Sequence, residues 1–82
     1  MRAMFSESVN INCLEVRYTF LRSLSNKNCY SIEITCGSES VLLPEVSDSY
    51  QEAKGFFDLL VRGAVTPVSA EDVLEDWKYV KS

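Results

Sequence analysis

Four carboxylates crowd the end of this chain: Glu71, Asp72, Glu75 and Asp76. On a helix they make two i,i+4 pairs, Glu71 with Glu75 and Asp72 with Asp76. Such a group can hold magnesium or calcium, work as an acid–base pair, or face a basic partner. Magnesium is usually held by one or two carboxylates together with substrate phosphates. No phosphate loop can be written here, because Gly37, Gly55 and Gly63 are too far apart for a P-loop or a dinucleotide fingerprint. The plainer reading is a helix whose first turn is acidic, which suits its dipole, and whose outer face is solvated. That reading carries most of the weight. A partner-binding acidic face comes next, and no residue is assigned to a metal or a cofactor.

Histidine is absent. A Ser-His-Asp triad, a Cys-His pair and a His-ligated zinc site are therefore excluded within the chain. The cysteines are Cys13, Cys29 and Cys36, with no C-x-x-C spacing. An odd count and no signal peptide point to a reducing cytoplasm and away from a disulfide framework. A reactive thiol needs a cation or a helix N-terminus beside it, and Lys27 near Cys29 is the sole local candidate. Bystander thiols are expected, and no catalytic residue is assigned. Tyr18, Phe20, Tyr30, Phe56, Phe57 and Trp77 could line a ligand pocket, but 82 residues need most of their large side chains to build a core.

The formal net charge of −4 falls wholly within residues 45–82. Nucleic-acid affinity rests on cations that neutralise phosphates. An acidic chain with scattered basic residues is expected to bind neither nucleic acid nor an anionic membrane surface. Its length fits one domain, 1–82, and no apolar run approaches a membrane span.

The elements that must carry these residues follow from hydropathy. Residues 1–8 are mixed and expected to be loose, with antiparallel strands over 9–44. Leu14, Val16, Tyr18 and Phe20 alternate with polar residues, as do Tyr30, Ile32, Ile34 and Cys36; both patterns are half-buried strands. Val9, Ile11 and Cys13 have the opposite phase, so a bulge or break is expected at Cys13–Leu14. Ser25-Asn26-Lys27-Asn28 signals a turn. Gly37-Ser38 suits a two-residue hairpin that pairs Cys36 with Glu39, Ile34 with Val41 and Ile32 with Leu43. Pro44 lacks an N–H and is expected to end that strand.

A helix is expected over 47–62, capped by one of Ser47, Asp48 or Ser49 and closed by Gly63. Its apolar positions are Tyr50, Ala53, Phe56, Phe57 and Leu60, and Gly55 would suit close packing against another backbone. A second helix is expected over 69–80, capped by Ser69, with Val68 stapled on Val73. Its apolar stripe is Val73, Leu74, Trp77 and Val80, with Lys78 and Lys81 at the negative end of the dipole.

Val65-Thr66-Pro67-Val68 followed by Asp72-Val73-Leu74-Glu75-Asp76-Trp77, together with Tyr30-Ser31-Ile32, resembles a small family of uncharacterised Gram-positive bacterial proteins. Its pattern is Val-Ser-Pro, then Asp-Val-x-Glu-Asp-Phe, with an earlier Tyr-Gly-Ile strand. Thr66, Ser31 and Trp77 depart from it. The resemblance implies a cytoplasmic domain of unknown function with no assigned catalytic residues.

The expected fold is α+β: an antiparallel sheet of three or four strands with two C-terminal helices on one face. The expected function is a small non-catalytic protein-interaction module, with Glu71, Asp72, Glu75 and Asp76 as partner-binding residues for an unidentified protein. The alternative is a small-molecule or metal-binding sensor using the same helix. A homodimer through the first strand or the second sheet face is also expected, since an open edge invites pairing.

Overall fold

The computed structural model describes residues 2–23 and 29–81. Four antiparallel strands are followed by two helices: β1 (Arg2–Ile11), β2 (Leu14–Arg22), β3 (Tyr30–Cys36), β4 (Glu39–Ser47), α1 (Tyr50–Arg62) and α2 (Pro67–Lys81). The sheet order is β1-β2-β3-β4, an α+β meander. One sheet face carries the buried Val16, Tyr18, Phe20, Ile32, Ile34 and Leu43, and both helices pack there. The other is set with polar residues, including the row Ser8, Arg17, Thr35 and Ser40.

Alternation fixes the register because directly paired residues share a face. Phe20 lies opposite Ile32, Tyr18 opposite Ile34 and Val16 opposite Cys36. Ile32, Ile34 and Cys36 pair onward with Leu43, Val41 and Glu39, as the turn chemistry requires. Gly37 supplies the positive φ, +61°, that this turn needs. The Ser25-Asn26-Lys27-Asn28 turn lies outside the described residues.

Residues 2–8 are not loose. They form most of β1, paired from Arg2 opposite Arg22 to Ile11 opposite Leu14. A register shift between Ala3 and Phe5 breaks the period-two pattern that would have revealed them. Phe5 anchors the segment: its ring stacks on Phe20 with centroids 4.8 Å apart and meets Phe57 edge-on at 5.2 Å. Such pairs contribute roughly 0.5–1.5 kcal/mol each beyond their buried area. The break at Cys13–Leu14 is a hairpin turn. Asn12 and Cys13 both take positive φ, 47° and 71°, as a type I′ turn requires.

Pro44 does not end its strand. Pairing skips from Ile32–Leu43 to Tyr30–Ser47, so Pro44 sits in a bulge of an edge strand, where its missing N–H costs little. Glu45 takes φ +51°, and its N–H donates to the buried Ser31 Oγ at 3.4 Å.

Ser49 caps α1. Its Oγ accepts from the Glu52 N–H at 3.4 Å, and its own N–H donates to Ser47 Oγ, whose hydroxyl donates to Glu52 Oε1. Ser47 thus relays a capping box. Gly63 closes the helix as expected, but with helical φ. The left-handed role falls to Ala64, at φ +50°. The Val65 N–H bonds to the Leu60 carbonyl and the Ala64 N–H to Val61, which makes a Schellman motif. Gly55 has no atom within 4 Å of where a Cβ would stand, so close packing does not explain it.

α2 begins at Pro67, not Ser69. Proline suits the first helical position, and the Ser69 N–H donates to the Thr66 carbonyl at 3.1 Å. Val68 is 74% exposed and staples nothing, and Val80, assigned to the apolar stripe, is 81% exposed. Leu74 is buried as expected, and Ala70 is buried in the place given to Val80. Trp77 is half-buried, its ring 4.8 Å from that of Phe56. Val46 and Ala53 complete the core.

The Tyr18 ring is fully buried in the middle of this core, and its hydroxyl donates to the Val65 carbonyl at 2.8 Å. Burial, with a smaller contribution from Cys36, raises the phenol above its usual value of 10.0. The folded state therefore favours the protonated phenol. The stability this brings is complete below the unfolded pKa and is lost as pH rises through the folded one.

Three substitutions test this architecture. Gly55→Ala adds a better helix former in open space, and Ala64→Gly relieves a left-handed alanine. Each should stabilise by about 1 kcal/mol in urea titration. Tyr18→Phe should cost about 1 kcal/mol at pH 7 by loss of the hydrogen bond, and it should flatten the fall in melting temperature above pH 10.

Candidate functional site

The four carboxylates depend on where α2 starts. With Pro67 first, no acidic residue lies in the opening turn. Glu71 and Asp72 fall in the second turn, and Glu75 and Asp76 beyond it. The dipole effect fades within the first turn, so the helix terminus no longer accounts for these charges.

Burial of Pro67, Ala70 and Leu74 turns the opposite side of α2 to solvent, and Glu71, Asp72, Glu75 and Asp76 are all exposed. At 100° per residue they fan across that side and do not meet at one point. Among the described residues, no group of three or more His, Cys, Asp or Glu side chains is placed to hold a metal ion. The ion pairs found there, Arg17–Glu15 and Lys54–Asp58, involve none of the four. Lys78, the cation nearest in sequence, donates to the Glu45 carbonyl on β4 at 3.2 Å. It thus ties α2 to the sheet edge.

The exposed side of α2 also carries apolar groups. Val68, Tyr79 and Val80 are 74%, 83% and 81% exposed. Val68, Asp72, Glu75 and Tyr79 follow i, i+4, i+7 and i+11 spacing, one row along the helix. Sequence reading missed Val68 and Tyr79, because a helix started at Ser69 assigned Val68 to a staple. Thr66-Pro67, a capping residue followed by proline, was the signal for the earlier start.

The other candidates separate. Tyr18, Phe20, Phe56 and Phe57 are core, and Tyr30 and Trp77 pack at its margin. Cys13 is exposed at the β1–β2 turn, while Cys29 and Cys36 are half-buried; all three are unpaired. Shallow grooves lie along α1 at Gly55, Asp58, Leu59 and Arg62, and at the sheet end between Arg2, Ala3, Met4 and Arg22. No helix among the described residues is long and apolar enough to cross a membrane.

With Cys29 just before β3 and Cys36 at its end, thiol titration of denatured, non-reduced protein should count three free cysteines. A bridge between these two, found by mass mapping, would contradict the strand between them.

Comparison with curated proteins and with solved structures gave no match. The model of a family of unknown function, DUF6514, matches residues 6–79, from β1 through nearly all of α2, and the chain belongs to that family.

Proposed function

We propose that this chain is a small non-catalytic protein-interaction module that contacts a basic protein partner through the outer side of α2. The setting proposed for it is the cytoplasm of a Gram-positive bacterium. The observation that carries the reading is the row of Val68, Asp72, Glu75 and Tyr79, with Glu71 and Asp76 beside it.

Each component has a physical role. Tyrosine is enriched among the residues that dominate binding energy, because it offers a large rigid ring with a polar tip. Carboxylates around it speed encounter with a basic surface more than they add affinity. The same charges repel phosphate backbones, so nucleic acid is not the proposed partner. A chain without histidine and with an excess of acidic residues supports binding over catalysis.

The test uses three proteins: wild type, the Glu75→Lys/Asp76→Lys double variant and Tyr79→Ala. None of the substituted residues is buried, so all three should give the same circular dichroism. Immobilised wild type should retain a basic partner, identifiable by mass spectrometry and confirmed by titration calorimetry with the purified protein. Affinity should fall at least tenfold with either variant, and binding should weaken as salt rises. Unchanged affinity in both variants would overturn the reading.

A further inference from the structure

The two edges of the sheet are treated differently. β4 is blunted three times over. Pro44 offers no N–H, Glu45 bulges at φ +51°, and α2 packs alongside with Lys78 bonded to the Glu45 carbonyl. β1, the other edge, has a single irregularity, at Ala3–Phe5. From Phe5 to Ile11 it runs regularly beside β2 and carries no proline and one charge, Glu7. Proteins normally obstruct such an edge with bulges, prolines or lysines, because its unpaired backbone groups can accept another strand.

We propose that β1 is the joint of a homodimer, in which Phe5–Ile11 of two copies pair antiparallel about a two-fold axis at Ser8. Three features select a second copy and this register. The regular stretch is bounded by the bulge before Phe5 and the turn at Asn12, and Ser8 is its midpoint. Centring there places Phe5 opposite the second copy's Ile11, Ser6 opposite Asn10 and Glu7 opposite Val9. Directly paired residues share a face, so both copies present their helices on the same side. The half-buried Phe5, Val9 and Ile11 of each copy then line one face of the joint, with the exposed Glu7 among them. The charges also agree: a two-fold at Glu7 would oppose two carboxylates, whereas one at Ser8 sets each against a valine. The product is a continuous sheet of twice four strands, whose outer edges are the two blunted β4 strands. The proposal does not rest on the acidic face, since α2 packs on β3 and β4, away from β1.

Multi-angle light scattering of the wild-type chain should give twice the chain mass of 9.3 kDa. Ser8→Lys places two ammonium groups face to face at the axis, beside Arg17 of each copy. It should give the single chain mass with unchanged circular dichroism. The second variant guards against a failure to fold. Cys13, Cys29 and Cys36 are replaced by Ser, and Ser8→Cys or Ser40→Cys is added. Under diamide oxidation, Ser8→Cys should run as a covalent dimer on a non-reducing gel, and Ser40→Cys, on the opposite edge, should not. A monomeric wild type at millimolar concentration would overturn the proposal. So would a Ser8→Lys dimer, or cross-linking at Ser40 as efficient as at Ser8.

Discussion

A phenol buried in an apolar core must find an acceptor there or lose the free energy of an unmade hydrogen bond. Tyr18 meets that demand with the Val65 carbonyl, and much of the fold is arranged around the result. Val65 lies in the connector between the helices. Its N–H is already taken by the Leu60 carbonyl in the cap of α1. One backbone unit thus satisfies the end of α1 on one side and the centre of the sheet on the other. Both polar groups of Val65 are committed two residues before Pro67 opens α2. A hydroxyl on the central strand β2 thereby ties down the connector to the helix that carries the proposed binding face.

The sheet imposes the second condition. A four-stranded sheet with one apolar face needs cover on that face alone, and two helices of modest length are enough. Aromatic rings fill the space between the layers. Phe20 touches Phe5, Tyr30, Tyr50 and Phe57, so a single ring joins β1, β2, β3 and α1. The opposite face stays polar along Ser8, Arg17, Thr35 and Ser40, so the layer count stops at two.

The register of β3 with β4 was legible because alternation and turn chemistry agreed on it, whereas for β2 and β3 alternation gave the shared face and not the register. Leu43 falls opposite Ile32 once the Gly37-Ser38 turn is given two residues. What escaped sequence reading shares one cause: a single irregular residue resets a periodic pattern. The shift at Ala3–Phe5 hid the first half of β1, and the bulge at Pro44 hid the last residues of β4. Thr66-Pro67 started α2 one residue pair before the serine that looked like its cap. That shift had a large effect on the candidate site. The four carboxylates were visible from composition. Their separation from the helix terminus, and their company with Val68 and Tyr79, needed the true start of the helix.

The meander also has a consequence in time. The turns at Asn12–Cys13 and Gly37–Ser38 join strands that neighbour each other in the sheet. Hairpins of this kind form in roughly 1–10 μs. The bond from Tyr18 to Val65 spans 47 positions and can close only after α1 has docked. The seat of α2 is complete only once that bond has closed. α2 is held by the buried Pro67, Ala70 and Leu74, by the Trp77 ring on Phe56 of α1 and by the lysine bonded to β4, with Tyr79 and Val80 projecting beyond. Stability spread so unevenly produces sub-global opening. Local opening of this kind favours the sparsely buried α2 over the central strands β2 and β3. The helix with the most exposed apolar side chains is thus also the one with the least burial to hold it.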